Sequence, residues 1–595
     1  MTDRDVDELG SAQDDAALEA GGARSGRMAL VLQRSRVGAR LVAISRSELV
    51  VRGRVSADRA LDQIARWDEA VRSRWPFTAL AVPDPGPVET AGSGRLLVRP
   101  ALLGFVAITA ITVGSSLPSS PFALKMAGAW FFGVPSGSQA ASQHGLFLGL
   151  VLVYGGLLLL MRVWYGLVRT LAKRPGIPVK KLLAVMALWV IPLLVAPPLF
   201  SRDVYSYAAQ GDMVAHHIDP YRYGPDVMGA SPYVTLVDPM WGNAPAPYGP
   251  LFLEVDGLLT TVAGHDVLLD VVLLRLLEIG GIVLLAWAVP ALARSIKRDP
   301  SEAFALALLN PVTMLHLIGG AHNDALMLGL LVAGIVLARR GRPILGILVC
   351  TLATAVKVPA ALGIVYIGWE WMGPRIPWRE RIRPVVTAGL ISLGAMEALS
   401  LLTGLGWSWV LNLATPGTVR SWLAPATAVG LLLGHGVHAA GIGVPVHVVL
   451  SVVRVLSLLG AAAAGLWLLW NSERIGSLKA IGLTMLLVVV LGPVVQPWYL
   501  SWGLILLAPV AVGRIRSVII VLSISSAFIG LPGGRQLIEE LLHANPLAMA
   551  AALLALLGVL TVPLTPWDRQ RLLPPRMPGG SGSDSAEPAL RGSVA

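Results

Sequence analysis

Asp203, Asp212, Asp219, Asp226 and Asp238 all fall within one stretch, Ser201 to Pro250, together with His216, His217, Arg202, Arg222 and repeated Tyr, Pro and Gly. Further along stand His322-Asn323-Asp324, Lys357-Val358-Pro359, a polar run from Gly406 to Pro425 holding Asn412 and Arg420, and Gln496-Pro497-Trp498-Tyr499. Each group is flanked by apolar sequence. A carboxylate just beyond a membrane helix can take a proton from a hydroxyl nucleophile arriving from water. Cations at the bilayer surface, for which Lys357, Arg420 and Arg202 are the candidates, can hold a lipid-linked phosphate and neutralise charge that grows on it as a leaving group. Aromatic rings such as Trp241 and Trp498 offer flat faces to sugar C–H groups, or belong to an interfacial belt.

Each of these assignments has a plainer counterpart. Asp203 is also placed to cap a helix over 204–215, and Asn323 and Asp324 stand where a helix N-cap belongs. His216 and His217 read as polar loop residues, and as ligands only in second place. Lys357 could simply snorkel to the interface, and the Trp498-Tyr499 pair fits an interface anchor better than a sugar platform. The long polar stretch has disorder as its alternative, against which Tyr205, Tyr207, Tyr221, Tyr223, Tyr233, Trp241 and Tyr248 weigh, since disordered segments are poor in aromatics. About fifty residues in one connection is otherwise the mark of a functional loop.

Positioning such groups requires a membrane scaffold. The chain has 595 residues, 55% of them hydrophobic and 14% charged, with a mean hydropathy of +0.68. That composition excludes a soluble enzyme of this size and predicts an all-α polytopic membrane protein. The net charge of +11 follows from basic residues in short connections, the positive-inside pattern, and so predicts no nucleic-acid partner. A single cysteine, Cys350, rules out an internal disulfide and a cysteine metal centre.

Spans of about 20 apolar residues are expected at 97–117, 146–162 and 182–200, with Arg162, Arg169, Lys173, Arg174, Lys180 and Lys181 marking a cytoplasmic connection. The stretch 201–250 then lies outside. Further spans are expected at 267–292, 303–318 and 325–337, a hairpin turning at Lys357, then 385–405, 448–470, 481–495, 502–512, 518–530 and 547–564. The segments 251–263 and 426–440 read as interfacial or re-entrant helices. This gives about 14 crossings with both termini cytoplasmic. Residues 1–95 read as a partly disordered cytoplasmic region without signal-peptide order, residues 96–564 as the transmembrane domain, and 565–595 as a disordered tail rich in Pro, Gly and Ser.

Taken in order, Asp203-Val204-Tyr205-Ser206-Tyr207, Asp219-Pro220-Tyr221, Tyr248-Gly249-Pro250, Gly320 with His322-Asn323-Asp324-Ala325, Lys357-Val358-Pro359, Thr415-Pro416-Gly417 and Gln496-Pro497-Trp498-Tyr499 resemble one family. It is the actinobacterial polyprenol-phosphomannose-dependent α-1,6-mannosyltransferases, multipass glycosyltransferases of the GT-C superfamily. The resemblance covers residues 97–564. It implies a GT-C-like helix bundle in the plasma membrane with a large first extracytoplasmic loop. It also implies transfer of mannose from a polyprenyl-phosphate-mannose donor to an α-1,6-mannan or phosphatidylinositol-mannoside-type acceptor, as in lipomannan and lipoarabinomannan core synthesis.

On that resemblance Asp203 is the catalytic base of a single inverting displacement. Lys357, Arg420 and Arg202 contact the donor phosphate, and Tyr205, Tyr207, Asp219, Tyr221, Tyr248, His322, Asn323, Asp324, Trp498 and Tyr499 line the substrate site. The case for a divalent metal is weakened, because Asp203 is followed by Val and Tyr and not by a second acid; approach of Asp219 or Asp324 in space is the remaining route to one. The competing class is a transporter or flippase, which needs charged groups near the midplane on broken helices. Most of the acidic groups are instead expected at one outer surface; Glu278, Glu397 and Arg454 are exceptions within apolar runs, and Arg275 and Glu278 are spaced to pair on one helix face, which needs no transport role.

Overall fold

In a computed structural model of the chain, residues 93–117, 120, 122–124, 143–419, 421–529 and 531 are described, and these contain helices and turns but no strand. The expected span at 547–564, the terminal regions 1–92 and 565–595, and Arg420 lie outside the described residues. The helices are α1 (Ser93–Ser116), α2 (Gln143–Lys173), α3 (Val179–Val195), α4 (Asp203–Ala215), α5 (Pro250–Val262), α6 (Val267–Ser295) and α7 (Pro300–Ala307). A π-helical turn at Thr313–Gly319 precedes α8 (Asp324–Arg339), α9 (Pro343–Thr354), α10 (Ala361–Glu370), α11 (Trp378–Thr403), α12 (Pro425–Ala439), α13 (Val446–Trp470), α14 (Ser477–Val490), α15 (Ser501–Leu507) and α16 (Arg514–Ile529).

Four of these are long and apolar enough to cross a bilayer: Leu96–Ser116, Val151–Lys173, Trp378–Thr403 and Val446–Trp470. Their outward faces are apolar, with Leu390, Leu393 and Leu401 on α11 and Leu456, Leu459 and Leu466 on α13 all exposed. Water does not tolerate such continuous faces, whereas lipid does. The protein is an all-α membrane protein. The long α2 corrects one boundary, because Arg162, Arg169 and Lys173, expected in a connection, ride on its last turns.

The other apolar runs form shorter or broken helices, so runs of hydropathy and continuous spans do not correspond one to one. The expected span at 303–318 is split into α7 and the π turn, and that turn meets α8 at 109° across Gly320–Asn323. The expected hairpin at Lys357 is formed by α9 and α10, of 12 and 10 residues. These rise only about 18 and 15 Å, against about 30 Å of hydrocarbon. Non-helical backbone at such depth is tolerated only where protein buries it or a polar cavity adjoins it. Here the breaks at 320–323 and 355–357 meet each other, through Lys357 and Asn323, and both meet the segment 498–502.

Three contacts hold that arrangement. Gly281 of α6 and Gly329 of α8 cross so closely that a Cβ on either would overlap backbone of the other helix, the close approach that small residues allow in membranes. Arg275, buried to 2% exposure, donates to the carbonyls of Leu193 and Ala196 at the end of α3, at 2.8 and 2.6 Å, and to Gly319 at 3.3 Å. Glu278 accepts from the Leu326 amide at 2.9 Å and so caps α8. The two side chains thus serve different helix ends, where a mutual pair was expected from their spacing. Within the second polar run, Arg454 of α13 donates to Thr427 and to the carbonyls of Gly417 and Val419, fastening the Thr415-Pro416-Gly417 turn, and Glu397 accepts from the Trp407 indole.

Candidate functional site

Asp203 opens α4 directly after a strained entry. Phe200 holds a left-handed φ of 62°, which for a bulky residue persists only where its surroundings over-determine it; here the Leu199 amide is pinned to the Gly319 carbonyl at 3.0 Å. The Asp203 amide donates to Ser201 Oγ at 3.1 Å. Arg202 occupies the N-cap position without capping α4 through its side chain. The Asp203 carboxylate points instead to His322, with Oδ2 3.5 Å from Nδ1 and 22% of the side chain exposed.

His322 comes from the break between the π turn and α8, beside Ala321, which also has a left-handed φ, of 51°. Its ring is fully buried and stacks on Trp498 at 3.8 Å and 19°. The same indole meets His316 at 5.7 Å, and the two imidazoles are 6.5 Å apart. Asn323 and Asp324 do not cap α8 with their side chains. Asn323 Oδ1 accepts from Lys357 Nζ at 3.2 Å, Asp324 Oδ2 accepts from it at 2.8 Å, and Asp324 Oδ1 accepts from Trp502 Nε1.

Lys357 is thus drawn inward, with 9% of the residue exposed. Its ammonium lies 4.8 Å from the Tyr499 ring centre and 5.8 Å from those of Tyr248 and Trp502, an aromatic cage of the kind cations favour. The Tyr248-Gly249-Pro250 turn is docked on the segment before Lys357: the Gly249 amide donates to the Val356 carbonyl at 3.3 Å, and a Cβ at Gly249 would overlap the Ala355 carbonyl. Tyr207 packs edge-on against Tyr248 and Phe252, at 5.3 Å from each, locking α4 to α5.

Asp203 therefore shares a recess with one cation, a second carboxylate and a buried imidazole. Burial pushes its carboxyl up to about 6. The charge of Lys357 and the Ser201 hydroxyl pull the other way, while Asp324 and Asp238 add to the rise. Such a carboxylate is ionised at neutral pH yet more basic than a free aspartate, the condition that suits a general base. Asn323 Nδ2 and Trp498 Nε1 are buried with no hydrogen-bond partner among the described residues, so the recess offers donors to a polar ligand.

The structure brings Asp203, Tyr207, Tyr248, His322, Asn323, Asp324, Lys357, Trp498 and Tyr499 together, whereas Tyr205, Arg202, Asp219 and Tyr221 lie elsewhere and Arg420 is outside the described residues. Tyr205 is buried, and the charges that act on its hydroxyl are those of Arg275 and Arg202. Arg202 donates to the carbonyls of Leu236 and Val237 at 2.8 and 2.7 Å and lines a cleft of about 260 Å³ with Asp226 and Asp238. Asp219 is exposed and forms a turn by accepting the Tyr221 amide at 2.9 Å, so it does not join Asp203. Asn412 donates to the carbonyls of Tyr221 and Ala246, tying the second polar run to the first.

Trp498, read as an interface anchor, is instead 6% exposed and packed into the recess. The sequence reading missed Ser201, His316 and Trp502. Trp502 stands one helical step beyond Tyr499 and shares its face, which is the signal that could have found it.

Fold and site define an all-α membrane protein with a buried carboxylate–lysine recess where its broken helices meet. Residues 101–373 match the family model described as Alpha-(1->6)-mannopyranosyltransferase, N-terminal domain, and residues 426–561 match the MptB C-terminal domain. Alpha-(1->6)-mannopyranosyltransferase A of Mycobacterium tuberculosis is 34% identical over 433 residues, 70% of this chain and 81% of the relative. A second alpha-(1->6)-mannopyranosyltransferase of that organism is 31% identical over 442 residues, 64% of this chain and 74% of the relative. Alpha-(1->6)-mannopyranosyltransferase B of Corynebacterium glutamicum is 30% identical over 364 residues, 57% of this chain and 60% of the relative. No solved structure matches. The chain belongs to the alpha-(1->6)-mannopyranosyltransferase family.

Proposed function

We propose that the protein is an inverting membrane mannosyltransferase that transfers mannose from polyprenyl phosphate mannose to an α-1,6-mannan or phosphatidylinositol-mannoside-type acceptor, in lipomannan and lipoarabinomannan core synthesis. The observation that carries the reading is the partly exposed Asp203 carboxylate beside the Lys357–Asp324 pair, in a chain of this family. The acceptor hydroxyl attacks the anomeric carbon as Asp203 takes its proton. The bond from that carbon to the phosphate oxygen breaks, the phosphate keeps the electron pair, and Asp203 later returns its proton to water. Proton removal of this kind contributes about 10² to 10⁴ in rate.

Lys357 uses two of its three ammonium protons on Asn323 and Asp324, which leaves one for a phosphate oxygen of the donor. Arg202 supports the same site through the loop it clamps, and Arg420 is proposed as a second phosphate contact. Tyr248, Tyr499 and Trp498 supply walls for the sugar, with Tyr205, Asp219 and Tyr221 shaping the loop above. The recess faces the extracytoplasmic side of the plasma membrane, with both termini cytoplasmic. No metal is needed by this reading, since one base and a stabilised leaving group complete the displacement.

Membranes holding the protein, a radiolabelled polyprenyl phosphate mannose and a short α-1,6-mannoside test the assignment. Lengthening of the mannoside from the lipid donor, lost when the protein is omitted, is expected; transfer from a nucleotide-sugar alone would overturn the donor class. The broken helices and their buried Lys357–Asp324 pair are also what a carrier needs. Membership of a mannosyltransferase family weighs against that reading, and net movement of a lipid-linked sugar across sealed vesicles without transfer would restore it.

A further inference from the structure

Away from Asp203, at the other end of α4, three side chains with metal-ligand chemistry converge. Asp212 is nine residues beyond Asp203, about 14 Å along the helix. Its side chain is 8% exposed, and Oδ1 lies 2.6 Å from His265 Nδ1 and 3.3 Å from His216 Nδ1. The two imidazoles are 4.9 Å apart, and one ligand atom from each of the three residues falls within 4.8 Å of the others.

Local structure fixes the elements that present them. His216 is the C-cap of α4. His265 stands in the tight α5–α6 connection, where Gly264 and His265 are both left-handed, with φ of 63° and 60°. A non-glycine residue in that region is uncommon and marks a position worth a role. The connection is braced on both sides: Asp266 Oδ1 caps α6 at the Leu269 amide, and Thr260 donates to Asp270 at 2.7 Å.

We propose that Asp212, His216 and His265 form a divalent metal site for a zinc-class ion, with solvent or a ligand oxygen in the fourth position. Two imidazoles and one carboxylate with an open position are a recognised donor set for zinc. With bonds of about 2.0 to 2.1 Å, tetrahedral ligand atoms sit about 3.3 Å apart. The Asp212–His216 separation already has that value, and the Asp212–His265 hydrogen bond opens by about 0.7 Å. The proton on His265 Nδ1 moves to Nε2, leaving a neutral imidazole to ligate. His216 Nδ1 gives up its 2.9 Å contact with the Asp212 carbonyl, which still accepts the His216 amide at 3.0 Å. The ion would clip the end of α4 to the α5–α6 turn and so hold the helix whose other end carries Asp203.

The test uses the full chain in nanodiscs, its affinity tag removed, stripped with chelator and then dialysed against micromolar zinc. Elemental analysis is expected to find one zinc per chain, and the melting temperature to rise with zinc. His216→Ala and His265→Asn are expected to lose both effects. Asn tolerates the left-handed backbone at 265, so the second variant is the milder for folding. His217→Asn, at an adjacent, exposed position that is also left-handed with φ of 60°, keeps both. Cobalt bound to the unmodified protein provides a readout that needs no variant: intense visible absorption of a tetrahedral site, discharged by zinc. Zinc retention that is absent, or unaffected by His216→Ala and His265→Asn, overturns the proposal and leaves a hydrogen-bonded triad only.

Discussion

Lys357 Nζ stands 2.8 Å from Asp324 Oδ2 with the carboxylate fully buried, so the cation nearest the proposed base is held by a second acid inside the bundle. Two ions out of water stabilise each other only when their remaining protons and lone pairs are satisfied. Here Asn323 and Trp502 complete the set.

Removing one partner leaves the other charge uncompensated. Asp324→Asn is expected to destabilise the protein by about 3 to 5 kcal/mol, read as a lower denaturation midpoint in detergent. Lys357→Met combined with Asp324→Asn should recover much of that loss. A double variant as unstable as the sum of the two singles would mean that the pair is not a unit.

With the Asp203 carboxyl raised to about 6 by burial, the ionised base is lost as pH falls through that value. The transfer rate is expected to drop about tenfold per unit below it. Ser201→Ala removes a hydrogen bond that favours the carboxylate, so the acidic limb should move to higher pH. A limb that stays in place or moves down would separate the pH dependence from Asp203.

The docking of Gly249 on Ala355 leaves no room for a side chain. Gly249→Ala is expected to cost about 1 to 3 kcal/mol of stability by overpacking and to lower activity by displacing Lys357. Calorimetry and the transfer assay check both; an unchanged melt would show that the turn yields freely.

Sidedness is measurable because Cys350, the single cysteine, is buried. In a Cys350→Ala background, Ala230→Cys in the long loop should react with an impermeant maleimide on intact cells, whereas Lys297→Cys, beyond α6, should react only after lysis. The reverse pattern would place the recess on the cytoplasmic face.

Much of the recess was legible as separate polar groups between apolar runs. Asp203, His322 to Asp324, Lys357 and Trp498-Tyr499 each announce themselves by type, and lipid-facing helices such as α11 and α13 by hydropathy. Pairing was not legible. Nothing in the spacing of Lys357 tells that it turns inward to Asp324, because that depends on helices breaking at 320–323 and 355–357, and hydropathy averages over such breaks. Nor did spacing separate Arg275 from Glu278, whose partners are the ends of other helices.

The central claim, that Asp203 receives the acceptor proton, is tested most directly by Asp203→Asn, which keeps the side-chain volume and removes the base. With donor binding and expression matched to the unmodified protein, mannosyl transfer is predicted to fall by about 10² to 10⁴. Transfer at the original rate would contradict the account.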